Sequence, residues 1–287
     1  MEEFNTDRLR TEENTVLPVD ETTSEKNPFA SALREILGSG TTLAMMTVLG
    51  IAIVLAPIAA FAGLSLSGGI ISQIFSDPEL QYGLRQIGFT TKDIYDIFSD
   101  VRLIIVPLTL VANIPGILTL IGYYLIWSNA RKKDAPAPTT GISLLKAVCI
   151  LEIIMYAFGG LMLVLSMVIF IVATMVALGY AALFLIPLYI ILILIPGAAI
   201  GLGIAKDVGL MNSLEKIGST LANTGSNKKI SMFAVVLLYI AGISEAFSAL
   251  TSIMVLNPGY MLVGGLSAAH LIILATLLSK IKNTLNN

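Results

Sequence analysis

The stretch ISMFAVVLLYIAGISEAFSALTSIMVL-NPG-YMLVGGLSAAHLIILATLLS, Ile230 to Ser279, decides the fold. Two apolar runs, Ile230–Leu256 and Tyr260–Ser279, flank the turn Asn257-Pro258-Gly259. Each is long enough to cross a bilayer, which takes about 20 residues at a rise of about 1.5 Å. Each carries one ionisable residue well inside it, Glu245 in the first and His270 in the second. Counted from Pro258, Glu245 is 13 residues back and His270 is 12 forward. In an antiparallel pair both then lie about 18–20 Å from the turn, at one depth. An ionisable side chain held in hydrocarbon is costly, and its position marks a candidate functional site.

The rest of the chain is of the same kind. Of its 287 residues 56% are hydrophobic and 13% charged, with a mean hydropathy of +0.87. Soluble domains carry about a quarter charged residues. Further spans are expected at about 42–62, 103–127, 146–177 and 180–205, making six with 230–256 and 260–279. The expected fold is therefore an all-α, polytopic integral membrane bundle with short amphipathic interfacial helices. Asn113 and Pro115 break the second span, where proline removes a backbone donor and bends a helix. Tyr123, Tyr124 and Trp127 form an aromatic belt followed at once by Arg131-Lys132-Lys133. The apolar stretch 142–205 divides most naturally at Leu178-Gly179-Tyr180. A turn at Phe158-Gly159-Gly160 has no polar flank and would leave bare backbone in lipid, so 142–177 reads as one long tilted helix. Gly197 and Gly201 give a small-xxx-small face suited to helix contact.

Residues 1–26 hold eight acids and three bases among few apolar side chains and read as a disordered acidic tail. Asn27-Pro28, with Phe29, Leu33, Ile36 and Leu37 in helical phase, predicts an amphipathic helix over 27–38 lying among the headgroups. Stretch 64–102 reads as an outer loop of three short amphipathic helices, the last entered through a capping box at Thr90-Thr91-Lys92-Asp93. Residues 206–229 carry Leu210, Leu214, Ile217 and Leu221 on a separate helix closed by Asn223-Thr224-Gly225. With six spans, 14 of the 17 Lys and Arg residues fall on the side of the termini and three on the other. The positive-inside rule then makes both termini cytoplasmic, and a bacterial cell membrane is the expected location. A cysteine at Ser76 should react with an impermeant thiol reagent on intact cells, and one at Ser128 should not.

The candidate polar site comprises Glu245 and His270, with Ser248 on the same strip as Glu245 and Asn113 at the bend of the second span. The small strip Gly264/Ala268 lies about 200° around the helix from His270. If that strip packs on the preceding span, His270 looks elsewhere and the pair does not form. Lys146 and Glu152 read as interfacial charges that extend to the headgroups. Asn113 with Pro115 offers either exposed carbonyls or a plain architectural bend.

No zinc-protease, nucleophile-elbow, phosphate-loop or dinucleotide motif is present. Ser267 and His270 sit one turn apart on one helix, a weak hint of an intramembrane hydrolase, whose base and nucleophile usually come from different elements. With one Cys and one His, neither a disulfide nor a metal or cofactor site is expected. The short basic connections lack interleaved aromatics and suit anionic lipid, not nucleic acid. The leading expectation is a non-enzymatic accessory or scaffold subunit that works through a membrane-protein partner or as a homo-oligomer. The alternative is a small transporter, or ion-coupled carrier, using Glu245 and His270.

Overall fold

A computed structural model describes residues 28–74, 109–132, 138–179, 184–224, 228–254 and 258–286, with isolated positions between 77 and 107. The expectations for 1–27, for most of the outer loop and for the turn at Asn257 fall outside the described residues. The described chain is helical throughout: α1 (Pro28–Leu37), α2 (Gly40–Ile74), α3 (Ile114–Ala130), α4 (Thr139–Leu178), α5 (Ile186–Leu221), α6 (Met232–Met254) and α7 (Pro258–Asn286). Six of these are long and apolar enough to cross a membrane; the second such run starts about one turn before α3, at Thr109.

The six long helices close into a ring. α2 packs on α3, α3 on α4, α4 on α5, α5 on α6, α6 on α7, and α7 returns to α2. Small residues allow the close approaches. A Cβ on Gly122 would lie 2.6 Å from Leu145, and one on Gly209 would lie 2.8 Å from Ala234. On the last hairpin Gly264 faces Ala249, and Gly242 faces Ala268 and Ile272. The Gly264/Ala268 strip therefore packs on the preceding span.

The ring is tightest at the end that holds α1 and the C-terminal part of α7. There Leu33, Ile36 and Leu37 of α1 join Met45, Ile126, Leu214, Ile230 and Ile281 in one buried cluster. The apolar stripe of α1 is packed against α7, α5 and α3, and Arg34 Nη1 donates to the Lys132 carbonyl at 3.2 Å. Three large apolar side chains gain more contact in a ready-made helix socket than half-immersed in a lipid interface. At the other end α4 and α5 present Leu161, Ile169, Leu194 and Ile195 outward, each more than half exposed, as lipid-facing surface requires.

α4 is one helix of 40 residues with no turn at Gly159. It stops at Gly179, whose φ of +56° favours glycine. It begins at Thr139. α5 differs more from expectation. It runs unbroken for 36 residues past position 205, merging the fourth span with the helix assigned to 206–229. Its end is a Schellman turn: Thr224 N–H donates to Ser219 O at 2.9 Å and Asn223 N–H to Thr220 O at 3.3 Å, with Asn223 at φ +53°. Between Gly201 and Ala222 no proline or paired glycine interrupts the helix, so nothing stops it at Lys206.

Candidate functional site

Lys206 and Asp207 are thus drawn into the bundle instead of standing in a loop. Lys206 Nζ lies 3.3 Å from Glu152 Oε2 on α4 and 2.9 Å from Asp207 Oδ1. It also stands 5.9 Å from the centre of the Tyr156 ring. Asp207 is fully buried, and neither of its oxygens takes a hydrogen bond of regular geometry among the described residues. The neighbouring ammonium is its countercharge. Glu152 is held by Lys206, about 20 Å along α4 from Thr139. Lys146, nearer the start of α4, makes a half-exposed pair with Glu215 at 3.6 Å.

Two chambers occupy the ring's interior. The one towards α1 has a volume of about 250 Å³ and takes in Glu152, Lys206, Glu245, Ser267, His270 and Cys149. The other, of about 580 Å³, takes in Asn113, Glu152, Tyr156, Glu245 and Ser267. They meet at Glu152, Glu245 and Ser267, which line both.

Glu245 and His270 therefore share a chamber, but no hydrogen bond joins them among the described residues. Because Gly264 and Ala268 face α6, the His270 ring is turned towards α3, where it meets Tyr123 at 6.0 Å between centroids. His270 is 8% exposed, and its Nε2 has no hydrogen-bond partner among the described residues, Ser267 included. Glu245 makes no ion pair or hydrogen bond among them either, and it is exposed although it borders both chambers. Ser248, also exposed, lines neither chamber, so it leaves the candidate site. Asn113 borders the second chamber, yet its Nδ2 donates back to Thr109 O at 2.9 Å and its carbonyl accepts from Ile117 N–H at 3.0 Å. Both the side chain and the carbonyl of Asn113 are thus engaged within their own helix. Gly197 and Gly201 meet nothing within 4 Å, whereas Gly203 packs on Tyr156, correcting the expected contact face.

The arrangement gathers two carboxylates, Glu152 and Asp207, around the Lys206 ammonium, and places a third, Glu245, on the same chamber wall. Charge in low dielectric demands a partner, and Lys206 has two carboxylates already. Glu245 is the group left to hold something else. Among the described residues no three His, Cys, Asp or Glu side chains are disposed to hold a metal. No protein-family model, curated protein or solved structure matches the chain.

Proposed function

We propose that the chain is a small ion-coupled carrier that exchanges a cation for a proton at Glu245. The observation that supports this best is the pair of chambers meeting at Glu152, Glu245 and Ser267 inside a ring of membrane-length helices. A carboxylate with no fixed countercharge is expensive to enclose in a low-dielectric chamber. The loaded site closes readily with either a proton or a cargo cation on Glu245, and closes poorly when empty. That condition couples the two fluxes without a further device. Lys206 clamps Glu152 and keeps that second carboxylate from competing.

In this reading the α1 face is cytoplasmic and the membrane is a bacterial cell membrane. The charge count supports it: with Lys206 withdrawn into the bundle, 13 Lys and Arg residues remain on that side against three. The test is reconstitution. Acid-loaded proteoliposomes carrying the protein should release protons when a small cation is added outside, and Glu245→Gln should abolish the release. Exchange that survives Glu245→Gln unchanged removes this site from the mechanism.

One observation favours a second reading, an accessory subunit. A Cβ added at Gly197 or Gly201 would meet nothing within 4 Å among the described residues, and such small-residue faces serve helix association in lipid. Recovery of a stoichiometric membrane partner in mild detergent, lost in Gly197→Leu, would support it; a monodisperse protein that exchanges cations alone would exclude it.

A further inference from the structure

We infer that the chamber towards α1 is a binding site for a primary alkylammonium with a short apolar body, an inference that rests on the carrier reading and names its cargo class. Most of the chamber wall is apolar: Met45, Leu49, Leu210, Leu238, Leu274 and Leu277 surround it on several sides. Its ionisable lining comprises Glu245 and His270 with the Glu152–Lys206 pair, besides Tyr123 and Cys149, and Ser267 lines it as well.

A primary ammonium has three N–H donors and no acceptor. Three groups without a hydrogen bond among the described residues line the chamber: the Glu245 carboxylate, the Ser267 hydroxyl and His270 Nε2, which accepts when the ring proton sits on Nδ1. The last is the most telling. A ring nitrogen in a side chain only 8% exposed, and without a partner, is the kind of group a ligand satisfies. An anion is disfavoured because the lone ammonium, Lys206, already carries Glu152 and Asp207. A bare metal ion would need about six oxygen ligands, and Glu245 with Ser267 offers too few. The volume sets the size of the body. At about 30 Å³ per water-sized group, about 250 Å³ holds roughly eight such groups, the scale of a six-carbon amine.

The probe is n-hexylammonium, titrated calorimetrically into the full chain in zwitterionic-lipid nanodiscs against empty discs, with hexan-1-ol and hexanoate as isosteric controls. Saturable binding of the amine is expected, with neither control competing. Glu245→Gln should weaken it at least tenfold, Ser267→Ala a few-fold, and Glu245→Asp should keep most of it. The last variant guards against reading misfolding as lost binding. Equal binding of hexan-1-ol or hexanoate, or full affinity in Glu245→Gln, overturns the inference. Amine binding without cation exchange would uphold this site and defeat the carrier reading. Exchange of an inorganic cation without amine binding would do the reverse.

Discussion

Replacing Lys206 with methionine keeps the length and much of the apolar stem of the side chain but deletes the ammonium held between two carboxylates. The Lys206 side chain is 14% exposed, Glu152 32% and Asp207 1%, with contacts of 3.3 and 2.9 Å. Removing one partner of a buried ion pair costs about 3–5 kcal/mol, because the other charge is left buried and unpaired. At roughly 2–4 °C per kcal/mol for a domain somewhat smaller than this chain, the midpoint should fall by about 6–20 °C. The protein supplies its own reporter. Cys149 is the only cysteine and is 3% exposed, so its reaction with a thiol-reactive fluorophore on heating in detergent marks unfolding. The same principle predicts recovery. In Glu152→Gln/Lys206→Met/Asp207→Asn no charge is left without its partner, and most of the loss should return. A fall of less than about 3 °C for Lys206→Met, or a triple variant no better than the single one, would refute the assignment of Lys206 as the countercharge of this cluster.

The α4–α5 seam gives a paired test: a Cβ on Gly203 would sit 2.7–3.0 Å from three atoms of the Tyr156 ring, whereas one on Gly201 meets nothing. Gly203→Ala should therefore cost about 1–3 kcal/mol by overpacking, and Gly201→Ala should be neutral or slightly stabilising, both read by thermal exposure of Cys149. In the loop between α2 and α3, Thr90 donates from Oγ1 at 2.6 Å and from its backbone N–H at 2.7 Å to Asp93 Oδ2, and Asp93 N–H returns a bond to Thr90 Oγ1 at 3.2 Å. The hydroxyl bond, then the backbone bond, hold the Asp93 carboxyl below its ordinary value of 3.8. A depressed folded value means that the cap's contribution is present above the unfolded value and is lost as pH falls through the folded one. Hydrogen exchange at residues 92, 93 and 96 should be faster in Asp93→Asn than in wild type at pH 7, with the difference closing as pH falls below the ordinary carboxylate value; a constant difference would contradict the cap.

Six crossings were legible because each needs a long apolar run, and α4 was legible as one helix because a turn at Gly159 would leave backbone bare in lipid. The capping box at Thr90 and Asp93 was legible because its bonds are local. The site was only half legible. Glu245 and His270 stood out against apolar neighbours and do line one chamber, but which way His270 turns depends on which strip of α7 packs on α6. Lys206 and Asp207 were obscured by a length prior: 20 residues suffice to cross a bilayer, so the first charges after Ala205 looked like the end of a span. The turn at Gly179 held the missing signal. Glu152 lies 27 residues before it and Lys206 27 after it, and Lys146 and Glu215 face each other in nearly the same register with the signs reversed. Counting outward from that turn, as from Pro258, brings both ion pairs together. The failure of Gly197/Gly201 to make a contact had no such cue, since a small-residue face is written alike whether a helix of the same chain or lipid covers it.

Water reaching the middle of the ring is the claim on which the carrier account stands, and Ser267 lines both chambers. In a Cys149→Ala background, Ser267→Cys in proteoliposomes should react with a small hydrophilic methanethiosulfonate and be shielded by n-hexylammonium. Ser248→Cys, off the chambers on the same hairpin, should stay unmodified. A Ser267→Cys thiol as inert as the Ser248→Cys thiol would mean a dry interior and no path for a cation.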